Sequence, residues 1–424
     1  MADETYQRTT LGNGLRVVTA PMPFTRSVSI SVYLGAGSRY EEPAQAGISH
    51  MAEHLVFKGT ERRPTSREIS QIVDSVGGVM NAVTDRELTV YYGKVARPHF
   101  EMLGDILSDL LRHPLLATEE MEKERGVILE ELAAVADSPP QLVDQLIDQV
   151  MWPDQPLGRD VAGSRETISA MTRAMVLAYL DGQYVAENAV VSIAGNVSHE
   201  EALKLVEREM GDWQRGLPGG WRPAWSPDEG PRLAVQYKKT EQAHISIAVD
   251  GVAMEHPDRP ALDLLSVILG EGMSSRLFLE LRERLGLCYD VHSYASHYQD
   301  VGSLAVYAAV DPKNTFKALS ALMGELARIR DDIDDEEVAR AKELSRGRLI
   351  LRGEDTRSVS GWAGVQELLT GKVLTVDEVV ERVMAVSTAD LLRVAKQTLR
   401  RKALNLAVVG PFRSDGRFLP LLDL

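Results

Sequence analysis

The chain repeats one order of elements, and this repeat limits the folds open to it more than any other feature. Residues 27–34, SVSISVYL, and residues 244–249, HISIAV, alternate apolar and polar side chains as half-buried strands do. A proline-containing loop and a helical stretch follow each of them. These two segments start 217 residues apart, and two later apolar runs end at Gly195 and Gly410, 215 residues apart. Although such units are common singly, two nearly equal displacements predict two similar halves.

The two predicted halves meet at a segment rich in glycine and proline. Residues 215–232, RGLPGGWRPAWSPDEGPR, have no apolar periodicity and are typical of a linker. The sequence therefore predicts an N-terminal domain over 1–214 and a C-terminal domain over 233–424. Within each half, long amphipathic helices and short strands do not alternate strictly, which favours an α+β fold over a doubly wound sheet.

Composition narrows the class of protein. The 47 Lys and Arg residues against 62 Asp and Glu residues give a net charge of −15, which argues against a nucleic-acid partner. The first residues, MADETYQRTTLGNGLRVV, lack a basic segment followed by an apolar core, so no signal peptide is expected. No apolar run approaches the ~20 residues that a membrane span needs. A cytoplasmic protein without a membrane partner is the expectation. Because Cys288 is the only cysteine, an internal disulfide framework is excluded. No base lies near Cys288 in the sequence, so a nucleophilic thiol is not expected.

Residues 50–54 read HMAEH and carry the first chemical signal. On a helix, His50 and His54 share a face because they are four residues apart, and Glu53 lies beside them. Two imidazoles with a neighbouring carboxylate are typical of a catalytic zinc site that keeps one position for water. The order H-x-x-E-H is the inverzincin motif. The alternative is a pair of helix histidines packed under a loop, so a third ligand has to be found.

A third ligand is expected to be acidic and to lie on another element. The segment MEKERGVILEEL, residues 121–132, supplies Glu122, Glu124, Glu130 and Glu131. Glu124 and Glu131 are about two helical turns apart and share a face, whereas Glu130 is rotated away from them. By spacing alone, a solvated acidic helix face is the favoured interpretation of this segment.

Four segments together point to a known family. GISHMAEHLVFKGT, GGVMNAVTDRELTVYY, ERGVILEE and DQPLGRDVAG resemble the pitrilysin/insulinase (inverzincin) family of zinc metallopeptidases. Within that family, the chain is most similar to the branch of the mitochondrial processing peptidase β subunit and its bacterial single-chain homologues. The resemblance covers nearly the whole chain, and it implies that each half is a mostly antiparallel sheet covered by helices.

The resemblance implies a zinc site. In the family, 76 residues separate the second histidine from the third zinc ligand, and the same count from His54 leads to Glu131. His50, His54 and Glu131 would then bind one Zn²⁺ per chain. Glu53 would be the general base on a zinc-bound water. The family's accessory glutamate, seven residues before the third ligand, corresponds to Glu124, with a role in orienting a ligand.

The resemblance also implies substrate-binding residues. The family's Asn-Ala pair in the strand that pairs with substrate corresponds to Asn81 and Ala82. The family's Arg and Tyr, seven residues apart, correspond to Arg282 and Tyr289, which would contact the substrate near the metal. Tyr289 would stabilise the oxyanion of the tetrahedral intermediate. Phe57, one turn after His54, is a candidate for lining a side-chain pocket, and a plain core position is an equal alternative.

The implied function is that of a zinc-dependent endopeptidase that cleaves extended or unfolded peptides in a closed chamber. Because the chain keeps both the zinc motif and the Arg/Tyr pair, a homodimer is expected rather than a pair with a different subunit. The main alternative is a noncatalytic scaffold or partner subunit of the same family with a relic zinc site. A purely structural zinc site is a further alternative, but it would need a fourth protein ligand and no Glu53.

Overall fold

A computed structural model describes residues 5–227 and 230–424. Residues 1–4 of the predicted N-terminal domain and residues 228–229 of the predicted linker lie outside the described residues. Within the described part of the chain, no helix is both long and apolar enough to cross a membrane.

The described residues form eleven strands in two sheets. Their bounds are β1 Gln7–Thr10, β2 Arg16–Pro21, β3 Ser27–Leu34, β4 Val79–Thr84, β5 Thr89–Ala96, β6 Ala189–Gly195, β7 Arg232–Tyr237, β8 Ala243–Asp250, β9 Cys288–His297, β10 Gly302–Val310 and β11 Asn405–Gly410. The first sheet has the order β1-β2-β6-β3-β5-β4 and the second has the order β7-β11-β8-β10-β9. In each sheet one pair of neighbours is parallel, β2 with β6 and β7 with β11, and the other pairs are antiparallel. The second sheet thus repeats five strands of the first, which confirms the prediction of two similar α+β halves.

Helices cover both sheets. Their bounds are α1 Ile48–Val56, α2 Ser66–Asp74, α3 Phe100–Arg112, α4 Thr118–Asp137, α5 Pro139–Met151, α6 Arg165–Ala170, α7 Arg173–Gln183, α8 His199–Met210, α9 Arg259–Gly270, α10 Thr315–Arg328, α11 Asp335–Arg352, α12 Thr356–Thr370, α13 Val376–Ala385 and α14 Thr388–Thr398. A π-helical turn over Phe278–Arg284 precedes β9.

The prediction that the repeated strands are half-buried is wrong, because both faces of β3 are covered. Its apolar positions belong to the core that the sheet forms with α1, α3 and α8. The serine face is covered by α12: the hydroxyl of Ser29 lies 2.8 Å from that of Thr356, and Ser360 donates to Ser31 at 2.9 Å. β8 is likewise buried on both faces. Small hydroxyl side chains can be buried because a covering helix supplies their hydrogen bonds.

The compact units of the structure differ from the two halves of the sequence at two segments. The first unit comprises Met1–Leu132, Asp160–Arg222 and Ile350–Val376, and the second comprises Ala133–Arg159, Pro223–Leu349 and Asp377–Leu424. The first unit therefore contains α12, and the second contains α5. The buried face of α5, with Val143 and Ile147, packs against Ala248 and Val409 of the second sheet. The outer face of the second sheet is apolar and has to be covered. Helix α5, which comes from the first half of the sequence, covers it.

Candidate metal centre

Helix α1 carries the H-x-x-E-H motif on the face that is turned away from the core. Its core face is fully buried and consists of Ile48, Met51, Ala52, Leu55 and Val56. Because a helix repeats every 3.6 residues, this packing leaves His50, Glu53 and His54 on the other side. The side chains of His50 and His54 keep only a small part of their surface exposed. The helix thus holds the motif at the edge of the core rather than within it.

The start of α1 is fixed by contacts between its backbone and residues outside the helix. Gly47 has φ 91°, a conformation that disfavours side chains, and a Cβ there would lie 2.5 Å from the carbonyl oxygen of Ala162. The buried carboxylate of Glu41 accepts hydrogen bonds from the backbone N–H groups of Gly47 and Ser49, at 2.8 and 2.9 Å. These bonds use two of the donors that a helix leaves free at its N-terminus. The position of the motif is therefore set before any metal binds.

Helix α4 brings an acidic residue to the two histidines. Met121, Glu124 and Ile128 form its buried stripe, and Glu131 continues that stripe by one turn. Oε2 of Glu131 lies 3.8 Å from Nε2 of His50 and 3.7 Å from Nε2 of His54.

The three residues fit a zinc ion. One ligand atom from each of His50, His54 and Glu131 lies within 4.8 Å of the others. Two zinc bonds of the usual length at a tetrahedral angle place their ligand atoms about 3.4 Å apart. The distances from Glu131 to the two histidines are close to that value, so small movements would complete the site. Two imidazoles and one carboxylate form a donor set that occurs in catalytic zinc sites.

The other acidic residues of α4 take different positions. Glu130 is exposed and does not belong to the cluster. Glu122 makes a surface ion pair of 2.9 Å with Arg125, one turn along the same helix. The structure therefore brings together Glu131, and not its neighbours, with the histidines.

Glu124 orients the ring of His54. Its Oε2 lies 2.9 Å from Nδ1 of His54, which directs Nε2 towards Glu131. Its Oε1 lies 2.7 Å from Nζ of Lys58, and only 5% of Glu124 is exposed. A carboxylate that accepts from the outer ring nitrogen of a histidine fixes the tautomer and the orientation of a metal ligand.

His50 is held in the neutral form. Burial, together with the neighbouring His54, lowers its pKa to about 4. Neutral imidazole is the form that binds a metal. Nδ1 of His50 is buried and has no hydrogen-bond partner among the described residues.

Substitution of Glu124 by Gln is expected to weaken zinc binding about 10–100-fold, the usual effect of removing such an outer contact. The amide lacks the charge that pairs with Lys58 and polarises His54. Competition with a chromophoric chelator measures the zinc dissociation constant. Glu130→Gln is the matched control, because it makes the same change at an exposed position of the same helix. Equal zinc affinities in the two variants would contradict the assigned role of Glu124.

Glu53 lies beside the cluster and contacts the first sheet. The hydroxyl of Thr84, the last residue of β4, donates a hydrogen bond to Oε2 of Glu53. Burial raises the pKa of Glu53, while the bond from Thr84 acts in the opposite direction. A carboxyl group with a raised pKa suits a role in which a proton is taken up and released near neutral pH.

Asn81 and Ala82 lie in β4, at the edge of the first sheet. The side-chain oxygen of Asn81 accepts a hydrogen bond from the backbone N–H of Ala82 at 2.9 Å. That N–H therefore points away from β5, outward from the free edge of the sheet. Phe57 directly follows α1, and its ring lies 5.8 Å from the ring of Tyr91 in the core. This contact favours the core alternative for Phe57, and a pocket role stays a prediction.

Arg282 and Tyr289 belong to the second unit, whereas the residues of the zinc cluster belong to the first. The guanidinium of Arg282 lies 4.6 Å from the ring of Tyr289 and donates to the Tyr289 carbonyl oxygen at 3.2 Å. Tyr289 is 77% exposed, so its hydroxyl is accessible. The structure brings the predicted pair together, and its contact with substrate stays a prediction. Next to them, burial raises the pKa of Cys288 to about 11, which makes a thiolate scarce at neutral pH.

The sequence does not indicate two residues of the site, Lys58 and Thr84. Lys58 is four residues after His54, so helical spacing alone could have placed it on the same side. Thr84 contacts Glu53 across 31 residues of sequence, from a strand to a helix. No local pattern signals such a contact, because it depends on how the sheet and α1 pack.

Two family models and several full-length relatives match this chain. The sequence model described as insulinase (peptidase family M16) matches residues 16–165, and the one described as peptidase M16 inactive domain matches residues 170–345. The chain is 36% identical to an uncharacterized zinc protease of Streptomyces coelicolor, over 96% of this chain and 90% of that protein. It is 35% identical to an uncharacterized zinc protease of Bacillus subtilis, over 96% of this chain and 98% of that protein.

Solved structures share the fold. A protease from Helicobacter pylori superposes with a TM-score of 0.90 at 24% identity, covering 96% of this chain and 99% of that one. A peptidase M16 inactive domain from Pseudomonas fluorescens superposes with a TM-score of 0.89 at 16% identity, covering 97% and 99%. With the two family matches and the full-length relatives, these findings lead to one conclusion: the chain belongs to peptidase family M16, the insulinase or pitrilysin family of zinc proteases.

Proposed function

We propose that this chain is a zinc-dependent endopeptidase that cleaves extended or unfolded peptides in a closed chamber. The observation that carries the proposal is the convergence of His50, His54 and Glu131 with Glu53 on the same side of α1. The names of the relatives, zinc proteases, support the choice of metal.

Each residue of the cluster has a distinct task in this proposal. His50, His54 and Glu131 would hold one zinc ion. When bound, zinc supplies a Lewis acid that polarises the scissile carbonyl and makes water easier to deprotonate. Glu53 takes the proton from the attacking water and later passes it to the leaving amine. Glu124 keeps the ring of His54 oriented through its bond to Nδ1.

The peptide would bind along the free edge of β4. An extended chain that adds to a sheet edge gains main-chain hydrogen bonds with little demand on its sequence. The outward N–H of Ala82 supports this role, and the amide of Asn81, which covers it, would have to turn away or bind the peptide itself.

Preference for unfolded substrate is the direct test of this proposal. The same polypeptide, offered folded and chemically unfolded at equal concentration, is expected to be cleaved only when unfolded. A chelator is expected to stop the cleavage and added zinc to restore it. Chelator-resistant cleavage, or equal cleavage of both forms, would argue for another kind of hydrolase.

Tyr289→Phe and Arg282→Ala are expected to lower kcat by about 10²–10³-fold, the usual cost of losing one group that stabilises the oxyanion. Their zinc content is expected to stay at one ion per chain, because neither belongs to the metal cluster. Steady-state kinetics with metal analysis of the same samples measures both. Tyr294→Phe is a control at another tyrosine of β9. Loss of zinc in Tyr289→Phe would contradict the assigned role.

Two observations weigh against the noncatalytic alternatives. The match to the M16 inactive domain covers residues 170–345, whereas the zinc motif and Glu131 lie in the match to the first domain, residues 16–165. Among the described residues, the cluster offers three protein ligands, which leaves a fourth position for water or substrate. A structural site would close that position with a fourth ligand.

We also propose that the enzyme works in the cytoplasm as a homodimer, without a second kind of subunit. The absence of a second kind of subunit is supported by the sequence, which keeps both the zinc motif and the Arg282/Tyr289 pair in one chain. Light scattering of the purified protein measures its mass, and a monomer with full activity would refute the dimer.

A further inference from the structure

We propose that Thr84 positions the carboxylate of Glu53 and aligns it with a peptide paired along β4. This inference rests on the proposed function, since it concerns the orientation of that reaction's general base. Thr84 would act through Glu53 and would be a positioning residue, not a catalytic one.

Thr84 contacts the carboxylate of Glu53 directly. Glu53 has three rotatable side-chain bonds, and α1 fixes only its backbone. The hydroxyl of Thr84 donates a hydrogen bond to Oε2 of this carboxylate. A second anchor of this kind limits the carboxylate to one orientation, so that Oε1 points in one direction as well. A base whose orientation is fixed in advance loses less freedom when the reaction begins.

Thr84 is itself held in place by the hairpin to which it belongs. β4 and β5 form a hairpin, in which Thr84 lies opposite Thr89. The backbone N–H of Arg39 donates to the Arg86 carbonyl oxygen at 2.9 Å, in the turn of this hairpin. The guanidinium of Arg39 also makes a buried ion pair of 2.5 Å with Glu87. A buried, hydrogen-bonded ion pair fixes geometry even where it adds little stability.

The free edge of β4 runs towards Glu53. The N–H of Ala82 points away from β5, since it bonds to the side chain of Asn81. Residues two apart in an antiparallel strand point the same way, so the N–H of Thr84 lies on the same free edge, about 7 Å further along. Glu53 therefore lies where this edge ends. A peptide paired with Ala82 would run towards the base, and Thr84 would set the distance between the two.

The test compares three variants. Thr84→Val keeps the shape of the side chain and removes the hydroxyl, whereas Thr84→Ser keeps the hydroxyl. Thr89→Val is the matched control, because it removes a hydroxyl from the same hairpin, one that bonds to the Ala36 carbonyl and not to Glu53. Kinetics on a quenched fluorescent peptide, zinc content and crystal structures of the variants are the measurements.

We expect Thr84→Val to lower kcat about 10–100-fold, as small misplacements of a reacting group do, with KM and zinc content nearly unchanged. Thr84→Ser and Thr89→Val are expected to keep kcat close to that of the wild type. In crystals, the carboxylate of Glu53 is expected to leave its position in Thr84→Val and to keep it in Thr84→Ser.

Several results would overturn the inference: an unchanged kcat in Thr84→Val, a rise in KM alone, equal losses of kcat in Thr84→Val and Thr89→Val, or an unmoved Glu53 in the Thr84→Val crystal. If even the wild type cleaves no peptide, the proposed function fails. The crystal structures then decide by themselves whether Thr84 positions Glu53.

Discussion

Glu53→Gln is expected to keep its zinc and to lose kcat by about 10²–10⁴-fold, the contribution that general acid–base catalysis usually makes. The amide has nearly the same shape and can still accept the hydrogen bond from Thr84, so α1 and the three ligands are expected to stay in place. It cannot accept the proton of the attacking water. The change therefore removes one chemical step and leaves the metal site intact.

Steady-state kinetics and metal analysis of one Glu53→Gln preparation check this expectation. Glu130→Gln is the control, since Glu130 is exposed on α4 and lies outside the cluster. Full activity in Glu53→Gln would refute the mechanism. Loss of zinc together with activity would show instead that Glu53 supports the metal site.

His54→Ala is expected to weaken zinc binding by more than about 100-fold, the upper end of what the loss of an outer contact costs. The change removes a direct ligand and also one partner of Glu124, whose carboxylate then keeps its contact with Lys58. Peptide cleavage is expected to fall with the zinc content and to return partly at high zinc concentration.

Zinc analysis and thermal unfolding of the metal-free proteins separate loss of metal from loss of fold. The buried side of α1 does not include His54, so the metal-free variant is expected to unfold near the temperature of the metal-free wild type. His113→Ala, at an exposed histidine after α3, is the control. Normal zinc affinity in His54→Ala would exclude His54 as a ligand.

Some residues of the site can be predicted from the sequence and others cannot. The difference depends on how far apart in the sequence the contacting residues lie. Helical spacing alone places His50, Glu53 and His54 together, because one turn of one helix holds all three. Glu131 lies on another helix and could be chosen over Glu130 only through the family's spacing. Thr84 depends on the packing of β4 against α1, which no local pattern reports.

The same holds for the fold: single strands can be predicted from the local sequence, but the packing of distant helices on the sheets cannot. Apolar alternation locates β3 and β8, and the repeat predicts two similar sheets. It does not show that α12 covers the serine face of β3, since exposed serines and hydrogen-bonded buried serines look alike in sequence. Nor does it show that α5 packs on the second sheet, because its apolar stripe would suit either one.

Titration of the metal-free protein with zinc, while peptide cleavage is followed, shows whether one bound zinc ion makes the chain an active peptidase. Activity is expected to rise in proportion to added zinc and to stop rising at one ion per chain, whereas Glu53→Gln is expected to bind the same amount without gaining activity. The assignment of a zinc-dependent peptidase requires both results. Cleavage by the metal-free protein, or zinc binding at one ion per chain without cleavage of any unfolded peptide, would contradict it.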